Sequence, residues 1–540
     1  MRKSDPSRLR RDAARERTGY MRNRIMPGLK PGSRKSACKK YRLRGVITVF
    51  FALLSGIFLT VFSVTTESAR IRAARAHTAN LTDLAAYSLF GEFEKKLLDD
   101  YEVFGLDGAC GTGDFSMTRV RDKLRGYAAV NADPKGNEFT ELCFDPWNVQ
   151  VTDTSIKEYA LLSDNGAEPF YQQAVAFMHK TAITGMTGKL ISWYRDAEDA
   201  KEKQDRYEKE KNSSDKDMTE LEKQEKEKKE ELAGEGGEDV FGPVQIENPI
   251  PALRRLSRRS LLSIVCGDME ISGKSVSAKD LCSKRGGRNK GTMKYPVKYS
   301  GLICDLIFRE YLLEHFSCYT DPSKEGKLSY QMEYILCGKR TDKANLKAAV
   351  QKLLLLREGC NYAYCASDSV ISTQAEGYAF LLVGWTGIEP LVKVLKHALL
   401  LGLSYGESLL DVRILLHGGK VPLIKTTETW QLSVENLAKI NELLEHSGKG
   451  RGEGIGYLGY LRLLLNMHSV KEQKKRGLDM AELGVRSGKN LSEFRADHCI
   501  VAMRDEMEWY IPPMFGRISA ALAGMAPDGL RVNVRGSFAY

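Results

Sequence analysis

The sequence predicts a mainly helical α+β chain in which one amino-terminal transmembrane helix runs into a long amphipathic helix and then into a large exported domain. Three observations carry this. Val46 to Val64 is a run of nineteen residues without a charge, which at about 1.5 Å per residue matches a hydrocarbon core of about 30 Å. Beyond it, Ile71, Ala74, Thr78, Leu81, Ala85 and Leu89 advance in helical steps of three or four. Far downstream, apolar windows with helical spacing outnumber the strand-like ones, and the last twelve residues, Gly529 to Tyr540, alternate apolar and polar as a half-buried strand does.

Charge sets the expected orientation. Residues 1–44 hold sixteen Lys or Arg against Asp5, Asp12 and Glu16, a surplus larger than the whole chain's net charge of +11. Short basic flanks resist translocation, so the amino end is expected in the cytoplasm and the rest outside a bacterial cell membrane. The chain beyond the tail is slightly acidic, which removes the main support for nucleic-acid binding by the large domain. The tail itself suits anionic inner-leaflet lipid. The apolar run is longer than a signal-peptide core and enters Glu67-Ser68-Ala69-Arg70 without an A-x-A pattern, so conventional signal removal is not expected.

The partition expected from composition is a basic cytoplasmic tail (1–44), a transmembrane helix (45–66), a membrane-proximal extracytoplasmic domain (67–195), a Lys/Glu-rich spacer (196–240) and a distal, mainly helical extracytoplasmic domain (241–540). Within the span, Ala52, Gly56 and Thr60 are spaced by four and form a stripe along which a second helix could approach closely. Small residues are also common in such helices without any pairing, so this stripe stands as a candidate face for lateral association.

Arg44-Gly45-Val46-Ile47-Thr48-Val49-Phe50, a basic flank and glycine followed by an apolar helix, resembles the amino-terminal segment of pilin-like proteins. It is most similar to the TadE and TadG type pseudopilins of tight-adherence (Tad/Flp) pilus systems and to large single-span Firmicute proteins that accompany them. Thr66-Glu67-Ser68-Ala69-Arg70, Asp83-Leu84-Ala85-Ala86-Tyr87-Ser88-Leu89-Phe90, Gly384-Trp385-Thr386-Gly387 and Leu409-Leu410-Asp411-Val412-Arg413 belong to the same likeness. The resemblance implies a pilin-like long helix packed on its own globular part, contacts with pilus or envelope assembly proteins, and Gly45 as a processing site. One position departs from it: the fifth residue after Gly45 is Phe50, where pilin maturation accompanies a glutamate. On periodicity alone, residues 67–100 serve equally well as a plain juxtamembrane stalk.

Along the rest of the chain, Leu106 to Phe115 holds three glycines and reads as a turn, since it lacks the ending of a phosphate loop. Val149 to Asp153 reads as a short strand, and Tyr171 to Phe177 and Ile183 to Trp193 read as helix. In Asp196 to Asp239, Tyr207, Met218, Leu221 and Leu232 are too sparse for a coiled-coil seam. A solvated helix broken near Asn212-Ser213-Ser214, a disordered linker and a partner-binding helix all remain open there. Asn248-Pro249-Ile250-Pro251 opens the distal part, with a helix from Leu253 to Val265 carrying Arg254, Arg255, Arg258 and Arg259. That cluster is either a solvated face or a contact for anionic polymer. Further helices are expected at Ile303 to Phe316, Lys343 to Leu356, Pro390 to His417, Val434 to His446 and Tyr457 to Met467. Tyr378 to Leu403 is apolar enough to be tested as a second span. Glu389, Lys393, Lys396 and His397 make insertion costly, so it reads as two helices, the second with Pro390 in its first turn.

Chemistry-bearing motifs are few. Ten cysteines lie beyond the span, and Cys360 and Cys365 are the one close pair, read either as a disulfide or as thiols; no C-x-x-C marks a zinc site. Ser213 to Lys216 matches S-x-x-K inside the charge run, Asp497-His498-Cys499 places a base beside a thiol on one segment, and Gly454, Gly456 and Gly459 match G-x-G-x-x-G without a preceding strand. Each has a plainer structural reading. The sequence therefore leads to no catalytic residue, no cofactor and no metal, with the lipid bilayer and other assembly proteins as partners. The expected role is a structural or assembly component, and the competing class is a membrane-tethered enzyme or ligand-sensing domain.

Overall fold

The computed structural model describes residues 42–133, 147–181, 187–234, 249–446, 453–516, 521–522 and 528–540. Its elements in chain order are α1 (Arg42–Phe90), α2 (Lys95–Tyr101), β1 (Leu106–Asp107), α3 (Met117–Ala132), β2 (Gln150–Leu161), α4 (Asp164–Thr181), α5 (Thr187–Gly234), α6 (Ile250–Ser257), α7 (Leu261–Val265), α8 (Leu302–His315), α9 (Gln331–Cys337), α10 (Asp342–Ser367), α11 (Ser369–Val383), α12 (Glu389–Leu416), α13 (Ile440–His446), α14 (Tyr457–Asn466), α15 (Val470–Arg486), β3 (Cys499–Ile511) and β4 (Leu530–Ala539). Among the described residues the protein is mainly helical with one four-stranded sheet, in keeping with the expected α+β class.

The chain divides into two units, Met1–Thr66 and Glu67–Tyr540. In the first, α1 is the one described helix long and apolar enough to cross a membrane. Its large apolar side chains from Val46 to Phe62 stand 46–75% exposed, an arrangement that water would oppose and hydrocarbon would favour.

The second unit has two cores. In the smaller, the sheet is centred on β3. β2 runs antiparallel along one side, from Gln150↔Tyr510 to Leu161↔Ile500, with three register shifts. β4 runs antiparallel along the other, from Ala502↔Ala539 to Ile511↔Leu530, and β1 extends that side at Leu106↔Ile500. Met503, Met507, Trp509 and Ile511 of β3 meet Ile71, Ala74, Leu81, Ala85 and Leu89 of α1, with Val120 and Leu124 of α3 closing the cluster. The larger core is helical, built mainly from α4, α5, α8 to α12, α14 and α15.

The structure draws the internal boundaries differently from composition. β2, expected in a proximal domain, pairs with β3 of the expected distal one. The segment expected as a spacer is not set apart either. α5 runs unbroken through Asn212-Ser213-Ser214, and its Ala197, Ala200 and Tyr207 are fully buried against the helical core. Sparse small apolar residues suffice because the partner is cut back to receive them: a Cβ on Gly359 of α10 would lie 2.6 Å from Gln204 Cα. The helices touch at backbone distance there.

Tyr378 to Leu403 resolves into α11 and α12, with Pro390 in the first turn of α12. Asp368 caps α11 by accepting from Val370 N and Ile371 N at 2.9 and 3.0 Å. The helix expected over Leu253 to Val265 breaks into α6 and α7, and the strand expected over five residues at Val149 extends to Leu161. α3, α9 and α15 are helices that the sequence pattern alone did not lead us to expect.

Gly359→Ala tests the close approach of α5 and α10. Because the atoms it meets are backbone, the variant should lose about 1–3 kcal/mol in denaturant unfolding of the detergent-solubilised chain, whereas Gly126→Ala in the open interior of α3 should gain up to about 1 kcal/mol.

Candidate functional site

Within the second unit, the first turn of α1 holds a buried polar site of the sheet layer. Glu67 is fully buried and Arg70 is 7% exposed. Being one helical turn apart, they pair directly: Arg70 Nη2 donates to Glu67 Oε1 at 2.7 Å and Nε to Oε2 at 3.3 Å. The guanidinium also donates to the carbonyls of Trp147 (3.3 Å) and Pro512, and Met514 N donates to Glu67 Oε1 at 3.4 Å. One ion pair therefore gathers α1, the segment entering β2 and the segment leaving β3. Further along α1, Trp509 Nε1 donates to Thr82 Oγ1 at 2.9 Å, and Thr82 in turn donates to Thr78 O at 2.9 Å. The buried indole is thus fixed to the same helix.

Asp505 lies in the middle of β3 on this face. It is 1% exposed, and neither carboxylate oxygen finds a hydrogen-bond partner among the described residues. Room for it is made on the neighbouring strand, where a Cβ at Gly536 would come within 2.7 Å of Oδ1. Burial, with a lesser contribution from Asp83, pushes its pKa up to about 6. The sequence signal was an acid at an inward position of an otherwise apolar alternation, which a reading by motifs passes over.

The helical core has its own ion cluster. Arg357 of α10 is fully buried; Nε and Nη2 donate to Asp411 Oδ2 of α12 at 3.0 and 2.8 Å, and Nη1 donates to the carbonyls of Pro422 and Leu423 and to Tyr460 Oη. Lys425 Nζ lies 2.7 Å from Asp411 Oδ1 and donates to Glu407 Oε1 at 2.6 Å. Asn361 and Ser408 complete the shell. Burial opposes ionisation of Asp411, but Arg357 and Lys425 more than offset it and hold its pKa below the usual carboxylate range. Burial wins at Glu407 and raises its pKa despite Lys425. Asp411 belongs to the Leu409 to Arg413 likeness, and Arg413 of the same motif donates to Ile264 O at 2.8 Å. Both act as ties between helices.

Cys282, Glu482 and Asp497 bring their donor atoms within 4.8 Å of one another. Arg285 already sits on the two acids, with Nη1 2.6 Å from Asp497 Oδ1 and Nη2 on Glu482, and Arg495 Nη2 reaches Asp497 Oδ2 at 2.7 Å. Two guanidiniums thus meet the carboxylate charge that a cation would need. Next along the chain, Cys499 Sγ contacts Arg495 O at 3.5 Å, and burial pushes its thiol pKa well up. The His498 ring packs on Phe115 with centroids 5.7 Å apart, and burial lowers its pKa. Neighbours in sequence, the two are not joined as base and nucleophile.

Cys360 and Cys365 are both free and buried on α10, where a five-residue step turns them to different sides. The disulfide reading gives way to thiols, and Cys365 Sγ instead approaches Leu400 O at 3.7 Å. Ile455 forms an isolated bridge with Val421, which ties down the G-x-G-x-x-G segment. Ala52, Gly56 and Thr60 lie exposed on α1, with the Thr60 hydroxyl turned back onto Ile57 O at 2.7 Å. Gly45 lies inside the helical span of α1.

Among the recesses of the second unit, two bear on function. One, of about 480 Å³, is lined by Arg288, Lys290, Lys294 and Lys475 around Asp164, whose carboxylate is occupied by Leu161 N and Gly291 N. Asn165, Gly166 and Ala167 beside it are all left-handed, with φ of 51, 76 and 68°. The other, of about 810 Å³, is lined by Phe104, Phe177, Tyr295, Tyr299 and Tyr540 among others. The Gln172 and Gln173 amides in its wall already serve Tyr299 and Phe104 backbone groups.

Residues 242–511, half of the chain, match the model of a family of unknown function (DUF5702). No curated protein and no solved structure matches significantly.

This chemistry has two testable outcomes. Because Asp505 has a folded pKa near 6 against an ordinary value near 4, the folded chain keeps a proton that the unfolded chain loses between them. Stability should therefore fall as pH rises from about 4 to 6. Asp505→Asn should flatten that slope and raise stability at pH 8 by on the order of 2 kcal/mol in denaturant titrations at each pH. In the helical core, Arg357→Met removes one of the two cations on buried Asp411 and the donor to the Pro422 and Leu423 carbonyls, and should cost about 3–5 kcal/mol. Adding Asp411→Leu should recover part of that loss, and strict additivity of the two changes would contradict the pairing.

Proposed function

The chain belongs to the DUF5702 family, and we propose that it is a single-span membrane protein, amino end in the cytoplasm, whose large extracytoplasmic unit serves a structural or assembly role. Its most fitting setting is a bacterial surface apparatus of the tight-adherence pilus kind, where it acts through protein contacts. The observation that carries the reading is α1 itself. It exposes an uncharged, mainly apolar surface over Val46 to Phe62, then continues as the helix on which the sheet is assembled. A helix that is lipid-facing in one half and a scaffold in the other is how pilin-like proteins are built, and the Gly45 to Phe50 and Thr66 to Arg70 likeness supports the same setting. Phe50 speaks against cleavage after Gly45, so the span is read as a permanent tether.

A second reading, ligand sensing by a tethered domain, draws on the cationic recess. Arg288, Lys290 and Lys294 converge beside three successive left-handed residues, and strained backbone of this kind collects at binding sites. The assembly reading is preferred because it also accounts for the exposed apolar half of α1, whereas the recess, with Asp164 already held by Leu161 and Gly291 N–H groups, supports binding alone.

Alkaline carbonate should leave the full chain in the membrane pellet, and protease added to intact protoplasts should degrade the large unit. Crosslinking from the outer face in cells that make such pili should capture pilus components. Extraction by carbonate or protection from protease would remove the tether, and capture of none of those components would remove the pilus setting.

A further inference from the structure

β4 leaves one long edge of the sheet open. Tyr540 N donates to Val501 O at 3.2 Å, continuing the regular β3–β4 register without a shift. In an antiparallel ladder, N–H and C=O of one residue point the same way and alternate along the strand. The even-numbered residues of β4 therefore bond β3, and Arg531, Asn533, Arg535, Ser537 and Ala539 direct their backbone groups outward. No described strand pairs with that side, and at about 3.3 Å per residue it offers roughly 33 Å of unsatisfied ladder.

Both faces of this edge look unfinished. On the inner face, Leu530, Val532, Val534 and Phe538 are only half-buried, unlike the fully buried inner row of β3. On α1, the 68% exposed Tyr87 holds its ring 6.4 Å from Phe538, and Leu84, one turn before it, is 47% exposed. On the outer face, charge alternates from strand to strand. Lys157 of β2 lies 2.9 Å from Glu506 of β3, and Glu506 lies 3.1 Å from Arg535 of β4. In the row beside it, Glu508 of β3 faces Arg531 of β4 at 3.4 Å. The ladder reads plus, minus, plus, and stops on arginine at the open edge.

We propose that β4 is a docking edge for an extended segment of another protein, added as a fifth strand, with acidic side chains opposite Arg531 and Arg535 and apolar side chains over Leu84 and Tyr87. A second copy of this chain offers no charge complement at the same edge: β4 carries no acid, so antiparallel self-pairing gives neither Arg531 nor Arg535 a carboxylate from β4. Main-chain hydrogen bonds give such an interaction its affinity, and the alternating side chains give it its selectivity. The inference rests on the assembly reading and gives it a mode of contact.

The test uses the full chain in lipid nanodiscs and a labelled, end-blocked peptide of alternating Val and Glu, with the same peptide carrying Lys for Glu as comparison and empty nanodiscs as background. The Glu peptide should bind at least tenfold more tightly than the Lys peptide, and N-methylation of its alternate amides should abolish binding. Asn533→Pro removes one outward N–H without touching the β3 ladder and should weaken binding tenfold or more. The double variant R531E/R535E should reverse the preference between peptides, and it keeps the question answerable if the proline variant fails to fold. Equal binding of the two peptides, indifference to N-methylation, absence of binding, or a dimer in sedimentation that Asn533→Pro abolishes would each overturn the proposal. Any of these would leave the tether and the crosslinking result standing.

Discussion

Arg70 and Glu67 close an ion pair within one turn of α1, and the same guanidinium holds the carbonyls of Trp147 and Pro512. That junction fixes the ends of β2 and β3 against the start of the helix whose apolar side buries the sheet. Two charges enclosed in an apolar layer are tolerable because each is met by partners of opposite polarity, which makes the pair a matter of specificity as much as of stability. The helix and the strands are thereby set in one register, with Trp509 on Thr82 as the second fixed point.

The helical core repeats this logic at larger scale. Arg357, Asp411, Lys425 and Glu407 carry two basic and two acidic side chains into a region of no solvent and tie α10, α12, α14 and the loop between α12 and α13 to one another. Such a cluster does not perform chemistry simply by being buried. Its perturbed groups are consumed by one another, as are Glu482 and Asp497 by Arg285. Asp505 differs, because its carboxylate is buried without a donor among the described residues, and Gly536 on the strand beside it leaves the room that admits it. The burial of Asp505 makes the sheet layer sensitive to pH, as the buried Glu333 and Glu482, both pushed up to about 7, make the helical core.

An apolar helix long enough to cross a membrane, a sheet packed on the continuation of that helix, and a sheet edge unpaired among the described residues are the features on which the proposed assembly role rests. The helical core behind the sheet, which most of the matched family region builds, fixes that surface without itself forming it. The open recess lined by Arg288, Lys290 and Lys294 is a separate feature of the same unit and is the ground on which the ligand-sensing reading rests.

Local sequence determined the elements whose cause is local. An uncharged run as long as the bilayer core is thick, a 3.6-residue periodicity from Ile71 to Leu89, the proline and glutamate that start α12, and the strict alternation of Arg531 to Ser537 each act within one element, so they could be read without neighbours. Tertiary structure decided the relations between distant segments. α5 looks like a solvated charge run until Gly359 brings the α10 backbone against it, and β2 looks like a fragment until β3, some 350 residues later, supplies its ladder. The partners of Arg357 and of Arg70 lie as far as 103 and 442 positions away in the chain. Hydrogen bonds and backbone contacts of that kind depend on which surfaces meet after folding, and a single sequence carries no local mark of them.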